Sequence, residues 1–150
     1  KYPTYKDCTV SDNFKYFPYF KEWCHLQIGF DQEGWHLDKD ILVKGNKVYS
    51  ENVCAFVPSE VNSLFIKRDS LRGDCPVGVR YRKRFDKFES QVTLYGKMVY
   101  LGTFNTPEEA FCAYKEVKEV YIKDVANKWK DQIDPRVYEA LMKYRVEITD

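Results

Sequence analysis

The residues best suited to chemistry in this 150-residue chain lie in its second half, where polar and apolar side chains alternate. The side chains that alternation places on one face there are Arg80, Arg82, Arg84, Gln91, Thr93 and Tyr100. Arginine can bridge two acceptors on guanine or clamp a phosphate, and glutamine can pair with adenine. Lys83, Lys87 and Lys97 lie nearby and suit phosphate contacts, which hold a nucleic acid without reading its sequence.

The charge of this region differs from that of the chain as a whole. Between residues 67 and 97, nine basic residues stand against four acidic ones, whereas the whole chain has 24 basic and 23 acidic residues and a net charge of +1. The near-neutral total argues against a histone-like polybasic binder and against an acidic tail protein. The local excess of five positive charges predicts a phosphate-facing surface, with a solvated basic loop as the alternative.

Three strands and a helix are expected to hold that face. Alternation predicts half-buried strands over 77–84, 87–95 and 97–104, with tight turns at Asp86-Lys87 and Gly96-Lys97. Thr106, followed by a proline and a capping-box glutamate, predicts the start of a helix whose apolar stripe covers the sheet. A further helix is expected to begin at 134–135 by the same logic.

The first half of the chain is predicted to be a smaller unit with two strands and a helix. Phe17, Phe20 and Trp23 have helical spacing, and the segments 35–43, 47–50 and 53–57 read as a strand, a turn with a strand remnant, and a second strand. Pro58 then opens a helix. The expected class is α+β: an N-terminal ββα unit followed by a three-stranded antiparallel sheet packed on a helix.

Cysteine usage and hydropathy bear on the cellular location of this protein. The five cysteines are odd in number and form no C-x-x-C pair, which favours a reduced, intracellular protein over a disulfide scaffold or a cysteine zinc site. No apolar run has the length of a membrane span, so no membrane partner is expected. The chain begins at Lys1 without methionine, as expected of a processed or trimmed form.

The second half resembles the plant ethylene-response-factor (APETALA-type) DNA-binding domain. The resemblance rests on Gly-Val-Arg-Tyr-Arg at 78–82, Lys-Phe at 87–88 and Leu-Gly-Thr-Phe-Asn-Thr-Pro-Glu-Glu-Ala at 101–110, and it covers about fifty residues. It implies that the polar face of the sheet enters the major groove of double-stranded DNA. Thr93 and Met98 stand where that family often has arginine, which implies a looser sequence preference.

The first half resembles HNH endonuclease-like proteins of phages, particularly those that join a degenerate HNH unit to this DNA-binding domain. The motifs are Trp-His-Leu-Asp-Lys-Asp-Ile at 35–41, Gly-Asn-Lys-Val-Tyr-Ser at 45–50, Glu-Asn-Val-Cys at 51–54, and Val-Pro with a later asparagine at 57–62. The two resemblances together imply a division into an HNH-like module (1–68), a DNA-binding domain (76–130) and a C-terminal helix (131–150).

The HNH resemblance also implies a site for phosphodiester cleavage. Asp38 and Asn62 match metal-ligand positions, and oxygen ligands favour magnesium or manganese. Asn52 matches the asparagine that braces the loop. Lys39 stands where the histidine base is expected, so Asp40 or His36, both on the Asp38 side of the strand, are the candidate bases. A surface role for Asp38 and Asp40, and a turn or cap role for Asn52, are the alternatives.

Three function classes follow from these observations. The first is a phage-type DNA-binding endonuclease that cleaves phosphodiesters with a divalent metal. The second is a DNA-binding regulator or host-interference protein that does not cleave DNA. The missing histidine base favours this class, and a host protein is its candidate partner. The third is a protein-interacting adaptor. For all three classes the protein is expected to be intracellular, in the host cytoplasm if a phage encodes it. The sequence leaves the oligomeric state open.

Overall fold

The computed structural model describes residues 5–67 and 72–150 and has the predicted α+β class. The chain separates into two compact units, each assembled from two stretches: Lys1–Phe65 with Val125–Lys143, and Ile66–Asp124 with Tyr144–Asp150. We call them unit 1 and unit 2. Part of the predicted boundary at 68–76, namely 68–71, lies outside the described residues.

From residue 5 onward, unit 1 contains four short strands and four helices, and the last helix comes late in the chain. They are β1 (Thr9–Val10), α1 (Asp12–Lys15), α2 (Phe17–His25), β2 (Trp35–Asp38), β3 (Val48–Tyr49), β4 (Ala55–Pro58), α3 (Ser59–Ser63) and α5 (Pro135–Lys143). Strand β1 pairs with β3 in parallel, and β2 pairs with β4 antiparallel. Because α3 directly follows β4, the order strand, strand, helix is present as expected.

An aromatic cluster holds the N-terminal helices of unit 1. The buried Phe14 ring lies 4.7 Å from that of Trp23 and 5.0 Å from that of Phe20, and the Trp23 ring contacts that of Phe56 on β4. Aromatic rings bury large areas each, so a few of them give a small unit a core. The spacing of Phe17, Phe20 and Trp23 correctly predicted α2, whereas α1 was not foreseen.

The strands of unit 1 are shorter than their sequence patterns suggest. The strand expected over 35–43 ends at Asp38, and the one expected over 53–57 begins at Ala55. After Asp38 the chain turns, because the Asp38 carboxylate accepts hydrogen bonds from the next backbone N–H groups. Such side-chain bonds compete with the strand ladder.

Unit 2 is a three-stranded antiparallel sheet packed on a helix. The strands are β5 (Val79–Arg82), β6 (Lys87–Leu94) and β7 (Lys97–Phe104), in the order β5-β6-β7, and the helix is α4 (Pro107–Trp129). Thr106 caps α4 by accepting a hydrogen bond from the Glu109 backbone N–H at 3.2 Å, as its sequence predicted. Val79 and Val92 from the sheet are buried, as is Tyr114 from the helix. Residues 125–129 of α4 belong to unit 1.

The segment after α5 belongs to unit 2. Helix α5 begins as predicted, with Asp134 accepting a hydrogen bond from the Arg136 N–H at 2.8 Å, but it ends at Lys143 and does not fill the range 131–150. Val146 is buried, its N–H donates to Glu119 at 2.9 Å, and its carbonyl accepts from Lys115 at 2.6 Å. Residues 144–150 therefore form a closing strap on unit 2.

Candidate functional site

The sheet of unit 2 presents one continuous polar face. Cross-strand partners share a face of a sheet, and the register pairs Arg80 with Glu89, Glu89 with Thr103, Gln91 with Tyr100, and Thr93 with Met98. Arg82 is paired with Lys87 on the same face. We call these nine residues the polar face: Arg80, Arg82, Lys87, Glu89, Gln91, Thr93, Met98, Tyr100 and Thr103. Arg80, Thr93, Met98 and Tyr100 are exposed.

Arg84 lies outside the polar face, although alternation placed it there. Strand β5 ends at Arg82, and the residues up to Asp86 form a turn in which Asp86 has a φ of 49°. The Arg84 guanidinium lies 5.4 Å from the Phe85 ring within that turn. The four-residue turn takes Arg84 out of register with the strand.

The hairpin turn between β6 and β7 also differs from the expected one. Tyr95 and Gly96 form it, with φ values of 49° and 79°, the pair of positive angles that a tight hairpin requires. The Tyr95 ring lies 5.0 Å from that of Tyr121 on α4, and the Tyr95 N–H donates to the Tyr121 hydroxyl at 3.1 Å. Lys97, exposed, is in register with Leu94 at this end of the hairpin, on the side opposite the polar face.

A bulge in β7 adds Thr103 to the polar face. Ser90 pairs with Gly102 but Gln91 pairs with Tyr100, so Leu101 is the extra residue. A bulge reverses the alternation beyond it, and strict alternation would have placed Thr103 on the helix side. Gly102, with a φ of 135°, was the available signal, because glycine within a strand often marks a bulge.

Contacts within the polar face hold several of its side chains. Arg82 forms an ion pair with Glu89, with Nε 3.0 Å from Oε2. Lys87 Nζ donates a hydrogen bond to Asn105, which lies just after β7, and the hydroxyls of Tyr100 and Thr103 are bonded to each other. Arg80 has no ion-pair partner among residues 5–67 and 72–150. The face thus combines one unpaired guanidinium with one that an acid holds.

Asp38 of unit 1 is tied into its own loop. Its Oδ1 accepts hydrogen bonds from the N–H groups of Asp40 at 2.9 Å and Ile41 at 2.8 Å. The pKa of Asp38 is raised to about 6, chiefly by burial and to a smaller extent by the nearby Asp40 charge, while the two backbone donors oppose the rise. The pKa of this carboxyl group therefore lies well above its ordinary value of 3.8.

The candidate bases beside Asp38 are held differently from each other. Lys39 Nζ lies 3.3 Å from Asp40 Oδ2, and the Lys39 side chain is only 13% exposed, against 44% for that of Asp40. His36 is exposed on β2, opposite Val57 of β4, and strand alternation puts it on the Asp38 side as expected. Asp40 lies beyond the end of β2, so it reaches this region through the turn and not through strand alternation.

Asn46 makes the bracing contacts in the loop between β2 and β3. Its Nδ2 donates to the carbonyls of Lys39 at 2.7 Å and Val48 at 2.8 Å, and its Oδ1 accepts from the Val48 N–H at 3.2 Å. This residue was not singled out from the sequence, although asparagine after glycine is a common turn signal.

Asn52, expected to be the loop brace, is exposed and lines an open cavity of about 320 Å³ together with Leu42 and Arg136. Asn62, the other expected ligand, is half-buried on α3. The brace and ligand roles of these two asparagines stay predictions.

These residues fit a divalent cation poorly. Asp40 is already paired with the Lys39 ammonium, and Asp38 uses one oxygen for two backbone donors. In the described parts of the chain, no group of three histidine, cysteine, aspartate or glutamate side chains is placed to hold a metal. The arrangement is a braced, titratable carboxylate loop.

Two further findings bear on the setting of these sites. No helix within residues 5–67 or 72–150 combines the length and the apolar character needed to cross a membrane. All five cysteines are free thiols, and burial raises the pKa of the Cys54 thiol to about 11. Comparison with protein-family models, with curated proteins and with solved structures gives no match for this chain.

Proposed function

We propose that this protein binds double-stranded DNA through the polar face of unit 2. The observation that carries the proposal is the register, which sets Arg80, Arg82, Gln91 and Tyr100 on one face while the other face of the sheet packs on α4. Arginine and glutamine are the side chains that pair with guanine and adenine edges, and a sheet can enter the major groove. The resemblance to ethylene-response-factor-type domains points to the same face.

Basic residues around the face add electrostatic attraction. Lys83 and Arg84 are exposed in the turn after β5. Such side chains attract phosphates and release counterions on binding, so affinity is expected to fall steeply as salt rises. A DNA-binding role also accords with an intracellular location, which we propose with it.

The proposal is tested by duplex binding of a double variant, Arg80→Ala with Arg82→Ala. We expect affinity to drop at least tenfold at moderate salt, because two charged contacts are lost. The matched control is Lys21→Ala with Lys123→Ala, which removes the same charge from helices α2 and α4. Equal binding by the wild type and the sheet variant would contradict the proposal and favour the adaptor class.

A second candidate function is DNA cleavage by the strand, strand, helix part of unit 1. It is favoured by the position of Asp38 at the end of β2 and of Asn62 on α3, a helix that follows β4 directly. The resemblance to phage HNH proteins supplies the expectation of magnesium or manganese. The proposal of cleavage requires supercoiled plasmid to be nicked in either metal by the wild type and left intact by Asp38→Asn.

If the plasmid remains supercoiled but the protein binds duplex DNA, the protein is a regulator or a host-interference protein and not a nuclease. The pairing of Asp40 with Lys39 supports that reading, because it places a cation where cleavage needs an unencumbered carboxylate. In that case a host protein is a candidate partner for the rest of the molecule.

A further inference from the structure

We infer that Glu89 is a positioning residue that fixes Arg82 for reading a guanine, and that it thereby sets base specificity at one position of the DNA site. The inference rests on the proposed function and deepens it. Glu89 is the one acid on the polar face and lies at its centre, in register with Arg80 on one side and Thr103 on the other.

The two side chains of the ion pair differ in burial. The Glu89 side chain is 15% exposed and that of Arg82 is 42% exposed, so the carboxylate is the more buried partner of the ion pair. The closest approach between the two groups is that of Arg82 Nε to Glu89 Oε2, at 3.0 Å. Because the Arg82 side chain is 42% exposed, part of it is accessible to a ligand while the ion pair is in place.

This geometry suits end-on recognition of guanine. Guanine offers two acceptors, O6 and N7, in the major groove, and an arginine fork can donate to both at once. An arginine held by an ion pair loses less rotational freedom when it makes those two bonds than an unrestrained one does. Arg80, which has no ion-pair partner in the described parts of the chain, lacks this restraint and suits a phosphate or a less specific base contact.

Glu89 also relieves a repulsion that the register creates. Arg82 stands directly opposite Lys87, and like charges in that relation destabilise a sheet. Arg82 forms an ion pair with Glu89, and Lys87 donates a hydrogen bond to Asn105, so each cation has a partner of its own. A purely structural role for Glu89 would consist of this relief alone, so the test must separate it from an effect on base reading.

The test is selection from a pool of duplex oligonucleotides with a randomised central segment. Wild type, Glu89→Ala, Arg82→Ala and the double variant are each used to enrich bound duplexes, which are then sequenced. We expect the wild type to select guanine at one position about tenfold over other bases, and Glu89→Ala to lose that preference while keeping preferences elsewhere. Glu89→Gln, which keeps an oxygen acceptor for Nε, is expected to restore part of it.

The double variant separates positioning from the alternatives. If Glu89 acts through Arg82, adding Glu89→Ala to Arg82→Ala changes the preference no further. A further change in base preference would mean that Glu89 contacts a base itself, and unchanged preference in Glu89→Ala would leave it only a structural role. Either result overturns the inference. Absence of duplex binding by the wild type overturns the proposed function instead, which keeps the two failures distinct.

Discussion

At the scale of single residues, Asp38 links the loop of unit 1 to pH. Its folded pKa of about 6 lies above its ordinary value of 3.8, mainly because it is buried. The protonated carboxyl is therefore favoured in the folded protein. The stability it contributes is complete below pH 4 and is lost as pH rises through 6.

We predict that Asp38→Asn removes this pH dependence. Asparagine keeps an oxygen acceptor for the two backbone N–H groups but does not ionise. At pH 7 the variant should gain about 2–3 kcal/mol of unfolding free energy relative to the wild type, and at pH 4 the two should be nearly equal. Urea unfolding across this range measures the difference. A wild-type carboxyl NMR titration with a midpoint near the ordinary value would contradict the account.

Asn46 and Asn52 allow the bracing of the same loop to be tested with one chemical change. Asn46→Asp removes the two donors that hold the carbonyls of Lys39 and Val48, and should lower the unfolding free energy by about 1–2 kcal/mol. Asn52→Asp, at an exposed position, should change it by less than about 0.5 kcal/mol. A larger effect at Asn52 would restore it as the brace.

At the scale of elements, the approach of β5 to α4 depends on one glycine. Gly78 has a φ of 76°, and a Cβ there would lie 2.1 Å from the Tyr114 ring. Gly78→Ala is expected to cost roughly 2–4 kcal/mol of unfolding free energy, from backbone strain plus overlap. Gly96→Ala is the control, because its φ of 79° is similar but its Cβ would meet open space. It should cost only about 1–2 kcal/mol in urea unfolding. Equal losses of unfolding free energy in the two variants would show that the Tyr114 ring moves aside at little cost.

The elements of unit 2 were largely predictable from sequence because their signals are local. Alternation from Val79 to Phe104 gave the three strands, and the cap at Thr106 fixed the start of α4. The exceptions share a cause. The bulge at Leu101, and the turns that hold Arg84 and Tyr95, shift the register without altering the alternation of residue types.

Unit 1 was less predictable because its contacts join distant segments. Strand β1 pairs with β3 although α1, α2 and β2 lie between them in the chain. Asn46 braces its loop by bonding backbone carbonyls, and a pattern of side-chain types does not reveal such bonds. The candidate site shows the same limit. Alternation placed His36 with Asp38, but the pairing of Asp40 with Lys39 depends on a turn.

At the scale of the whole molecule, the two units are interleaved along the chain, and the last residues close unit 2. We predict that ending the chain after Lys143 lowers the unfolding free energy of unit 2 by about 2–4 kcal/mol, through loss of the buried Val146 and its two hydrogen bonds. Ile148→Ala, at a 43% exposed position, is the control and should change little. Hydrogen exchange on α4 residues measures the loss, and unchanged protection there would show that the strap contributes nothing.

The charge pattern is also a property of the whole molecule. The near-neutral total conceals a basic region around the sheet, and only that region is expected to give a salt-dependent interaction. Removing Arg80 and Arg82 should therefore flatten the dependence of duplex affinity on salt, because two positive charges are lost from that region. The paired lysine variant on α2 and α4 should leave that dependence unchanged.

The central claim, that the polar face of the sheet binds duplex DNA, is tested most directly by backbone amide NMR during titration with a short duplex. We predict that the amides of Arg80, Gln91, Thr93 and Tyr100 shift most, with those of Lys83 and Arg84 in the adjoining turn. The exposed side of α4 should stay unchanged. Shifts confined to α4 or to unit 1, with the sheet unaffected, would contradict the claim.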